Sequence, residues 1–331
     1  MQKQKNEIVE LFDPNKGTTV IHPTENSRGF WAGAPSIYYD NTKGKFYLSY
    51  RIREPRPSRG IESRIAESSD GIKFRDIWSL RKEDLGSTSI ERSALLSITK
   101  KIYRLYVSYV DPVDNRWRID MIEAESPEHF DVSLRKTILT ANDLQVEGVK
   151  DPYILVIDGM YYMFFSYAPK LQNVSHQQIT QLHSTGDIFN TGKVQSLTGI
   201  ALSQDGISFR WLRDVSLPGD GWDSYTFRVT CVLPTKTGFI IFYDGASKGK
   251  PNYEELTGLA TSQDLVHYER ISQERPALIS PYGTGSLRYI DAIRVDNDYF
   301  YYYEYSRSDG SHELRLNIVK NGNLGVFDGN N

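Results

Sequence analysis

The sequence predicts an all-β protein, and within that class a five-bladed β-propeller with four-stranded antiparallel blades. Two observations support this prediction. Aromatic residues make up 12% of the chain, with 22 tyrosines against four methionines, and aromatic side chains fit the half-buried surface of a sheet. A unit of three strands also recurs along the chain, and such recurrence is typical of propellers. A helical fold is disfavoured because no long window keeps apolar residues at the helical spacing.

Each repeat begins with an apolar strand, followed by a tight turn and a strand rich in aromatic residues. The first strands are predicted at residues 34–39, 92–98, 151–157, 228–233 and 290–295. The second strands are predicted at residues 45–50, 103–109, 161–167, 239–244 and 299–305. Two strands joined by a tight turn pair as an antiparallel hairpin, so each repeat contains at least half of a blade.

A third strand follows most of these hairpins and runs into a polar turn. The segments are 64–74, 119–130, 199–209 and 258–268, with 314–319 in the fifth repeat. Asp-Gly and Ser-Pro steps in three of them favour chain reversal. Short segments such as RDIWSL, FRWLRD and YERISQ are predicted as fourth strands. A two-sheet sandwich would explain the alternation of residues equally well, but it would not explain the recurrence of the unit.

The chain is predicted to fold as one propeller domain, residues 1–331, because no linker or low-complexity segment divides it. Closed all-β folds often use this length as a single domain. Residues 1–30 form an N-terminal extension that packs on the outside or helps to close the ring. Residues 170–196 form the longest irregular insertion, which we expect over one face.

Composition and charge disfavour several classes of function. The formal net charge is −3, so no basic surface points to nucleic acid. The lone Cys231 excludes a disulfide framework and fits a reducing compartment. No apolar stretch has the length of a signal peptide or a membrane span, so a cytoplasmic protein without a membrane partner is expected. The six histidines lack the spacing of metal ligands, and those of the insertion, His176 and His183, are expected in solvent; neither a metal nor a cofactor is predicted.

Charged residues stand at the starts of the predicted first strands, which cluster at one mouth of a propeller. They are Glu91, Arg92, Asp151, Arg228 and Asp291, with Asp223 shortly before the fourth of these strands. Buried charges of this kind are tolerated when they are paired or functional. Structural alternatives remain open: an ion pair of Glu91 with Arg92, a pair of Arg228 with Asp291, a strand start at Asp151, and a turn cap at Asp223.

The same residue types fit the cleavage of glycosidic bonds. That reaction needs two carboxyl groups, one to donate a proton and one to activate water or to attack directly, and Glu91, Asp151 and Asp291 are the candidates. Phosphorolysis needs an acid and cations that hold phosphate, typically arginines. Seven residues are predicted to contact the substrate: Arg92, Asp223, Arg228, Arg288, Tyr289, Trp31 and Arg51.

Three segments resemble known glycosidases. Residues 34–74 and 222–247, the latter beginning WDSYTFRVTCVL, look like parts of the first and fourth blades of glycoside hydrolase family 130, the mannoside phosphorylases and β-mannosidases. Residues 150–167, KDPYILVIDGMYYMFFSY, resemble that family and also families 43 and 32. The likeness runs from about residue 30 to 305. It implies a five-bladed propeller that acts on a carbohydrate.

The chain departs from the pattern of those families at two positions. Family 130 usually carries Glu-Asp-Pro-Arg in the second blade, whereas this chain has IERSALL, which puts Arg92 or Ser93 in place of the proton-donating Asp. The first-blade acid of families 43 and 32 is missing from GAPSIYY. Asp151 matches their third-blade Asp, which in family 43 tunes the acid and in family 32 stabilises the transition state.

We therefore predict an enzyme of glycoside hydrolase type that acts on an oligosaccharide or glycoside, with Glu91 and Asp151 as the principal carboxylates and Asp291 or Asp223 in support. Phosphorolysis with inorganic phosphate remains open. The alternative is a propeller that binds carbohydrate without cleaving it, and a protein-interaction propeller is the third class.

Overall fold

The regular structure is dominated by strands, and the helices are short. The computed structural model describes residues 6–8, 11–99, 101–215, 218–247, 254–320 and 325–327. Its α-helices are α1 (Ala141–Leu144) and α2 (His176–His183), and its 3₁₀ turns are Pro14–Lys16, Lys82–Leu85, Val132–Leu134 and Ile188–Asn190. The all-β prediction is confirmed.

The strands follow the chain in groups of four after two short strands at the start. The first two are β1 (Asn6–Ile8) and β2 (Thr18–Ile21). The first group is β3 (Trp31–Asp40), β4 (Lys45–Glu54), β5 (Arg59–Ser68) and β6 (Arg75–Arg81). The second is β7 (Ile90–Thr99), β8 (Ile102–Val110), β9 (Trp117–Ala124) and β10 (Lys136–Leu139). The third is β11 (Gly148–Ile157), β12 (Met160–Ala168), β13 (Leu197–Ser203) and β14 (Arg210–Asp214).

The remaining strands complete the pattern. The fourth group is β15 (Thr226–Pro234), β16 (Phe239–Ala246), β17 (Leu256–Ser262) and β18 (Tyr268–Arg270). The last strands are β19 (Leu287–Val295), β20 (Asp298–Ser306), β21 (His312–Val319) and β22 (Gly325–Phe327). Within each group, consecutive strands pair antiparallel in chain order. The predicted short fourth strands are present as β6, β14 and β18, and β10 completes the second group.

The N-terminal part of the chain supplies the fourth strand of the last group. β2 pairs antiparallel with β21, so the order of this sheet is β19, β20, β21, β2. A single parallel pairing of His312 with Trp31 joins this sheet to the first group. β1 pairs antiparallel with β22. The N-terminal part of the chain therefore pairs with the C-terminal part twice, once in this sheet and once in a separate two-stranded sheet.

The hydrophobic core is divided into layers between consecutive sheets. One layer brings Leu105 of the second sheet against Ile65 of the first. The next three layers lie between the second and third, third and fourth, and fourth and fifth sheets. A further layer packs Leu48 of the first sheet against Tyr302 and Leu314 of the last. The layers thus follow one another in a closed cycle, and many of the tyrosines pack within them, as the sequence predicted.

The first strands contact one another in the same cyclic order: β3 with β7, β7 with β11, β11 with β15, β15 with β19, and β19 with β3. They therefore face a common centre. Among the described residues, no helix is long and apolar enough to cross a membrane.

The first strands share an irregularity in their pairing with the second strands. Four of them carry two consecutive residues that the register skips, namely Ala34–Pro35, Glu91–Arg92, Asp151–Pro152 and Tyr289–Ile290. β15 skips only Thr230. At three of these bulges the first residue has a left-handed backbone, with φ 53° at Ala34, 55° at Asp151 and 54° at Tyr289. Bulges re-aim side chains next to functional sites, and left-handed non-glycine residues persist only where their surroundings fix them.

Candidate active site

The structure places every predicted site residue in the interior. The most exposed of the ten is Trp31, at 7%, and Asp291 is 5% exposed. Most of them belong to a network of paired charges at the starts of the first strands, which we call the central network. Its members are Arg51, Glu91, Lys150, Asp151, Arg228, Asp244, Glu255, Arg288, Tyr289 and Glu304. Buried charges are tolerated when they are paired, and each charged member has an opposite charge in contact.

Asp151 lies at the bulge of β11 with no exposed surface. Its Oδ2 is 3.3 Å from Arg228 Nη1 and 3.3 Å from Lys150 Nζ, and the Tyr289 hydroxyl donates to the same oxygen at 3.4 Å. Its Oδ1 has no hydrogen-bond partner among the residues that the structure describes. A buried carboxylate oxygen without a partner is rare in folded proteins and calls for an explanation.

Glu91 lies at the corresponding bulge of β7 and is also fully buried. It is paired with Arg51, and its Oε1 is 3.3 Å from Arg53 Nη1. Burial alone would raise the pKa of Glu91, but the positive charges of Arg51, Lys150, Arg53 and Arg59 outweigh burial and lower it to about 2. Glu91 is therefore an anion at any physiological pH, and its predicted ion pair with Arg92 is not formed.

Two cross-strand pairs of the same geometry complete the network. Arg228 pairs with Asp244 of β16 at 2.7 Å, and Arg288 pairs with Glu304 of β20 at 2.6 Å. Glu255 joins the two, because it contacts both Arg228 and Arg288. Arg228 therefore pairs with Asp151, Asp244 and Glu255 rather than with Asp291, which corrects one of the structural alternatives.

Glu304 has the largest number of partners. It also pairs with Arg51 at 3.1 Å and accepts from the backbone N–H of Ala34 at 3.2 Å. His312 Nδ1 lies 2.7 Å from its Oε1. Burial opposes the charge of Glu304, but Arg288 and Arg51 prevail and hold its pKa well below the ordinary value. Trp31 stacks on His312, with ring centres 4.4 Å apart.

Asp244 differs from the other acids of the network. Both of its oxygens accept from the backbone N–H of Tyr289, at 3.0 and 3.1 Å, and Oδ2 also accepts from Arg228. Burial raises its pKa from 3.8 to about 6, and the neighbouring Glu255 adds to this rise against the pull of Arg228. Asp244 thus holds a proton at mildly acidic pH.

Arg92 and Asp291 belong to a second group. Arg92 Nη2 lies 3.7 Å from Asp291 Oδ2, and the guanidinium lies 5.4 Å from the ring centre of Tyr153. The oxygens of Asp291 accept from the backbone N–H groups of Ile37, at 2.9 Å, and Ala292, at 3.0 Å. Burial raises the pKa of Asp291 to about 6 although Arg92 opposes the rise.

Asp223 lies apart from both groups. Its Oδ2 accepts from the Tyr243 hydroxyl at 2.9 Å and from Arg270 Nη1 at 3.1 Å. Tyr243 also stacks on Trp222 and Phe227. These contacts hold the segment before β15 against the fourth sheet, while Oδ1 of Asp223 has no hydrogen-bond partner among the described residues.

Sequence reasoning missed four acidic or basic members of the central network: Lys150, Asp244, Glu255 and Glu304. A signal existed for two of them, because Asp244 and Glu304 interrupt otherwise aromatic or apolar second strands at equivalent register positions, opposite Arg228 and Arg288. Lys150 was visible only as the residue before Asp151. Glu255 follows the polar sequence KGKPNYE and belongs to no repeated pattern.

The insertion packs against the second and third sheets. It contains α2 and the turn Ile188–Asn190. Phe189 lies over Lys150, with the ammonium 4.9 Å from the ring centre. His183 is not simply solvated as expected, because its Nε2 lies 2.9 Å from Glu147 Oε2. Within the described part of the chain, no group of three or more His, Cys, Asp or Glu residues is arranged to hold a metal ion.

The central network combines an anionic carboxylate, a carboxyl group that titrates near pH 6, and several guanidinium groups that can donate to hydroxyl or oxyanion groups. Paired carboxyl groups whose environments separate their pKa values are the usual arrangement for acid and base roles.

Comparison with known proteins supports the fold. No protein-family profile matches the chain, and no curated protein sequence matches it. Among solved structures, the β-1,2-mannobiose phosphorylase of Listeria innocua is 16% identical with a TM-score of 0.62, and the alignment covers 96% of this chain and 97% of that one. The chain shares the fold of this phosphorylase. A structure from the family 130 mannoside phosphorylases is 15% identical, with a TM-score of 0.62 and coverage of 96% and 95%. A thermostable family 43 glycoside hydrolase is 14% identical, with a TM-score of 0.61 and coverage of 87% and 89%. The resemblance that the sequence indicated is confirmed at the level of fold.

Proposed function

We propose that the protein is a glycoside-cleaving enzyme whose five sheets are the blades of one propeller domain, with the reaction at the central network. The cyclic contacts of the first strands and the closed cycle of hydrophobic layers support five blades. The proposed substrate is an oligosaccharide or glycoside, in keeping with the glycosidases that share the fold. Location in the cytoplasm remains part of the proposal.

The observation that carries the proposal is the Asp151 carboxylate. Arg228, Lys150 and Tyr289 fix its Oδ2 from three directions, whereas Oδ1 has no partner among the described residues. The left-handed backbone at φ 55° aims this side chain. A carboxylate that is rigidly held by one oxygen and left free at the other is preorganised to meet a reacting group.

The other carboxyl groups fit complementary roles. Glycoside cleavage needs a protonated acid beside an ionised carboxylate. Asp244, with a pKa raised to about 6 mainly by burial, is the proposed proton donor. Arg228 pairs with both Asp244 and Asp151, so the two acids lie beside the same cation. Glu91 is anionic and is proposed to stabilise positive charge that develops on the sugar ring.

Asp291 is proposed in a supporting role, because its contacts are to Arg92 and backbone groups. Arg51, Arg228, Arg288 and Tyr289 are proposed to donate to sugar hydroxyls, and Trp31 to stack on a ring. Water is the proposed acceptor, with inorganic phosphate as the alternative.

The test compares Asp151→Asn with the wild type on a panel of 4-nitrophenyl glycosides and β-linked disaccharides. The amide should lower turnover by about 10²–10⁴-fold. Asp158→Asn is the matched control, because it makes the same change at an exposed residue of the same hairpin, whose φ of 50° suits asparagine. Equal turnover by Asp151→Asn would remove Asp151 from the chemistry. Repeating the assay with phosphate, and analysing for sugar 1-phosphate, separates hydrolysis from phosphorolysis.

A second candidate is a propeller that binds carbohydrate without cleaving it. The complete pairing of Glu91, Glu255 and Glu304 favours this alternative, because such a network is also what a purely structural centre needs. Heat released on mixing with a saccharide, with no product by chromatography over the whole panel, would support it against the enzyme.

A further inference from the structure

Three acids of the central network, those assigned to the chemistry, have no exposed surface, yet a saccharide must reach them if the proposed function holds. Asp151, Asp244 and Glu91 are all at 0% exposure. The segment of the insertion from Ser184 to Thr191, which we call the cover, contacts Arg59 and Lys150, two cations close to these acids. Its contacts decide whether it is a fixed wall or a movable one.

One side of the cover is fastened to the turn between β4 and β5. Asp187 pairs with Arg56 and with Arg59, the latter at 3.2 Å. Arg59 Nη1 also donates to the carbonyl oxygen of Gly186 at 2.9 Å. The contact with Arg56 lies at the rim, where Arg56 is 54% exposed, whereas the pair of Asp187 with Arg59 is buried, at 3% and 5% exposure.

The other side of the cover rests on the third sheet. The Phe189 ring lies over Lys150, whose ammonium is also 5.3 Å from the ring centre of Trp117. The carbonyl oxygen of Phe189 accepts from the Tyr225 hydroxyl at 3.0 Å. Lys150 is therefore enclosed between two aromatic rings, with Nζ 3.3 Å from Asp151 Oδ2.

Arg59 and Lys150 connect the cover with the proposed chemistry. Both are among the cations that lower the pKa of Glu91, and Lys150 contacts Asp151 directly. Long cationic side chains lose several rotamers when they are fixed. A contact that fixes them therefore also fixes the charge around the two acids.

We propose that residues 184–191 form a movable cover, and that Asp187 and Phe189 are positioning residues which hold Arg59 and Lys150 against the acids when the cover is closed. This inference rests on the proposed function, because it concerns access to the same site. The open cover admits the saccharide, and closure restores the cation arrangement and excludes water.

The fastening has a weak and a strong part. The contact with the exposed Arg56 gains little in solvent. The strong part is the buried pair of Asp187 with Arg59, together with Ile188 and Phe189, which are 2% and 4% exposed in a small apolar cluster with Trp117 and Val194. That cluster is separate from the large layers between the sheets. Local opening of a small cluster needs less free energy than unfolding of the sheets.

Amide hydrogen exchange tests the movement without any substrate. The amides of Gly186 and Asn190, which donate to the carbonyl oxygens of His183 and Asp187, should exchange by local opening, faster than the amides of β11 and β12. Asp187→Asn should accelerate their exchange at least about tenfold, since it breaks a buried ion pair. If the amides of the cover exchange only when those of β11 and β12 do, at the same rate, the proposal is wrong.

Turnover tests the positioning role. Phe189→Leu removes the ring from Lys150, and Ile188→Val is the matched control because it removes buried carbon from the same cover without touching that contact. Phe189→Leu should move the acidic limb of the pH–rate profile to higher pH, because a displaced Lys150 no longer lowers the pKa of Glu91. A purely structural role would reduce the amount of folded enzyme and leave the profile in place.

The two proposals fail in different ways. If no glycoside is turned over but the cover exchanges by local opening, the proposed function fails and the movement stands. If glycosides are turned over while the cover exchanges only with global unfolding and Phe189→Leu keeps the wild-type profile, the cover proposal is wrong and the proposed function stands.

Discussion

Glu91 on β7 and Asp151 on β11 occupy equivalent register positions in consecutive sheets. Each is the first of the two residues that the pairing skips, after Ile90 in one strand and after Lys150 in the other. The equivalent position in the last sheet is Tyr289, whose hydroxyl reaches Asp151. The repeated bulge therefore delivers side chains from different sheets to one place, and the residue type at that position varies from sheet to sheet.

A second repeated contact explains why the bulges keep their shape. At three of the bulges, the backbone N–H of the first skipped residue donates to a side chain of the preceding sheet. Ala34 donates to Glu304, Asp151 to the Ser108 hydroxyl at 3.3 Å, and Tyr289 to Asp244. Asp244 and Glu304 thus fasten neighbouring sheets in addition to any role in catalysis.

Removal of the Arg228 charge should destabilise the fold strongly. Arg228→Met leaves Asp151, Asp244 and Glu255 without their shared cation, and breaking a buried charge network from one side costs about 3–5 kcal/mol. Urea unfolding at pH 7 measures the change. Arg213→Met, at an exposed position of β14, should change the free energy of unfolding by less than about 0.5 kcal/mol. Equal stability of the two variants would mean that the network is solvated.

Much of this arrangement could be predicted from the sequence, and the reason is the repeat. The second strands from residues 103, 161, 239 and 299 were located within two residues at both ends, because a strand rich in aromatic residues beside a turn has few alternatives. The strand from residue 45 begins where predicted but runs four residues further. The bulges could not be predicted, because two residues that are skipped in the strand pairing produce no recognisable pattern in the sequence. Since a bulge shifts the alternation of side chains, residues such as Asp291 were grouped with Glu91 although they face different partners.

The ion-pair partners of the charged residues could not be predicted from the sequence either. Arg92 was considered with its neighbour Glu91, and Arg228 with Asp291, but neither of these pairs forms. Arg228 reaches Asp151 on another sheet, and Arg92 reaches Asp291. Asp223 looked equivalent to the other acids because it precedes a first strand, whereas its contacts lie within the fourth sheet.

If Asp244 donates the proton, the loss of turnover when it is replaced should depend on the leaving group of the glycoside. An acid with a pKa near 6 must be protonated to act, so turnover should be lost as pH rises through about 6. Asp244→Asn should lower turnover of a 4-methoxyphenyl glycoside by about 10²–10⁴-fold. It should have much less effect on the 2,4-dinitrophenyl glycoside, whose leaving group needs no proton. Equal losses on both substrates would indicate that Asp244 acts only through the fold.

Asp291 predicts a pH dependence of stability. Its pKa is raised from 3.8 to about 6 in the folded protein, mainly by burial, so folding takes up a proton between these values. The contribution is fully present below pH 3.8 and is lost as pH rises through 6, with an upper limit of about 3 kcal/mol from the linkage relation. Asp291→Asn should flatten the fall in the free energy of unfolding between pH 4.5 and 7, measured by urea titration.

Two other acids also make the free energy of unfolding depend on pH, so they must be considered when Asp291→Asn is compared with the wild type. Asp244 has a similar raised pKa, so Asp291→Asn should retain part of the slope. Glu91 has the opposite sign, because its pKa is lowered to about 2 and its contribution is lost only as pH falls below about 4.5. An unchanged slope in Asp291→Asn would show that Asp291 is solvated in the folded protein.

The close approach of Gly33 to Glu304 allows a steric test of the central network. A Cβ at this position would overlap the carboxylate of Glu304, and that carboxylate cannot move away freely because Arg51, Arg288 and His312 hold it. Gly33→Ala should therefore destabilise the protein by about 2–3 kcal/mol, as overpacking of a rigid site does. Gly221→Ala is the control, since a Cβ there meets no atom within 4 Å. If Gly33→Ala unfolds at the same urea concentration as Gly221→Ala, Glu304 is free to rearrange, and the pairing of Arg51 and Arg288 through it does not restrain the centre of the fold.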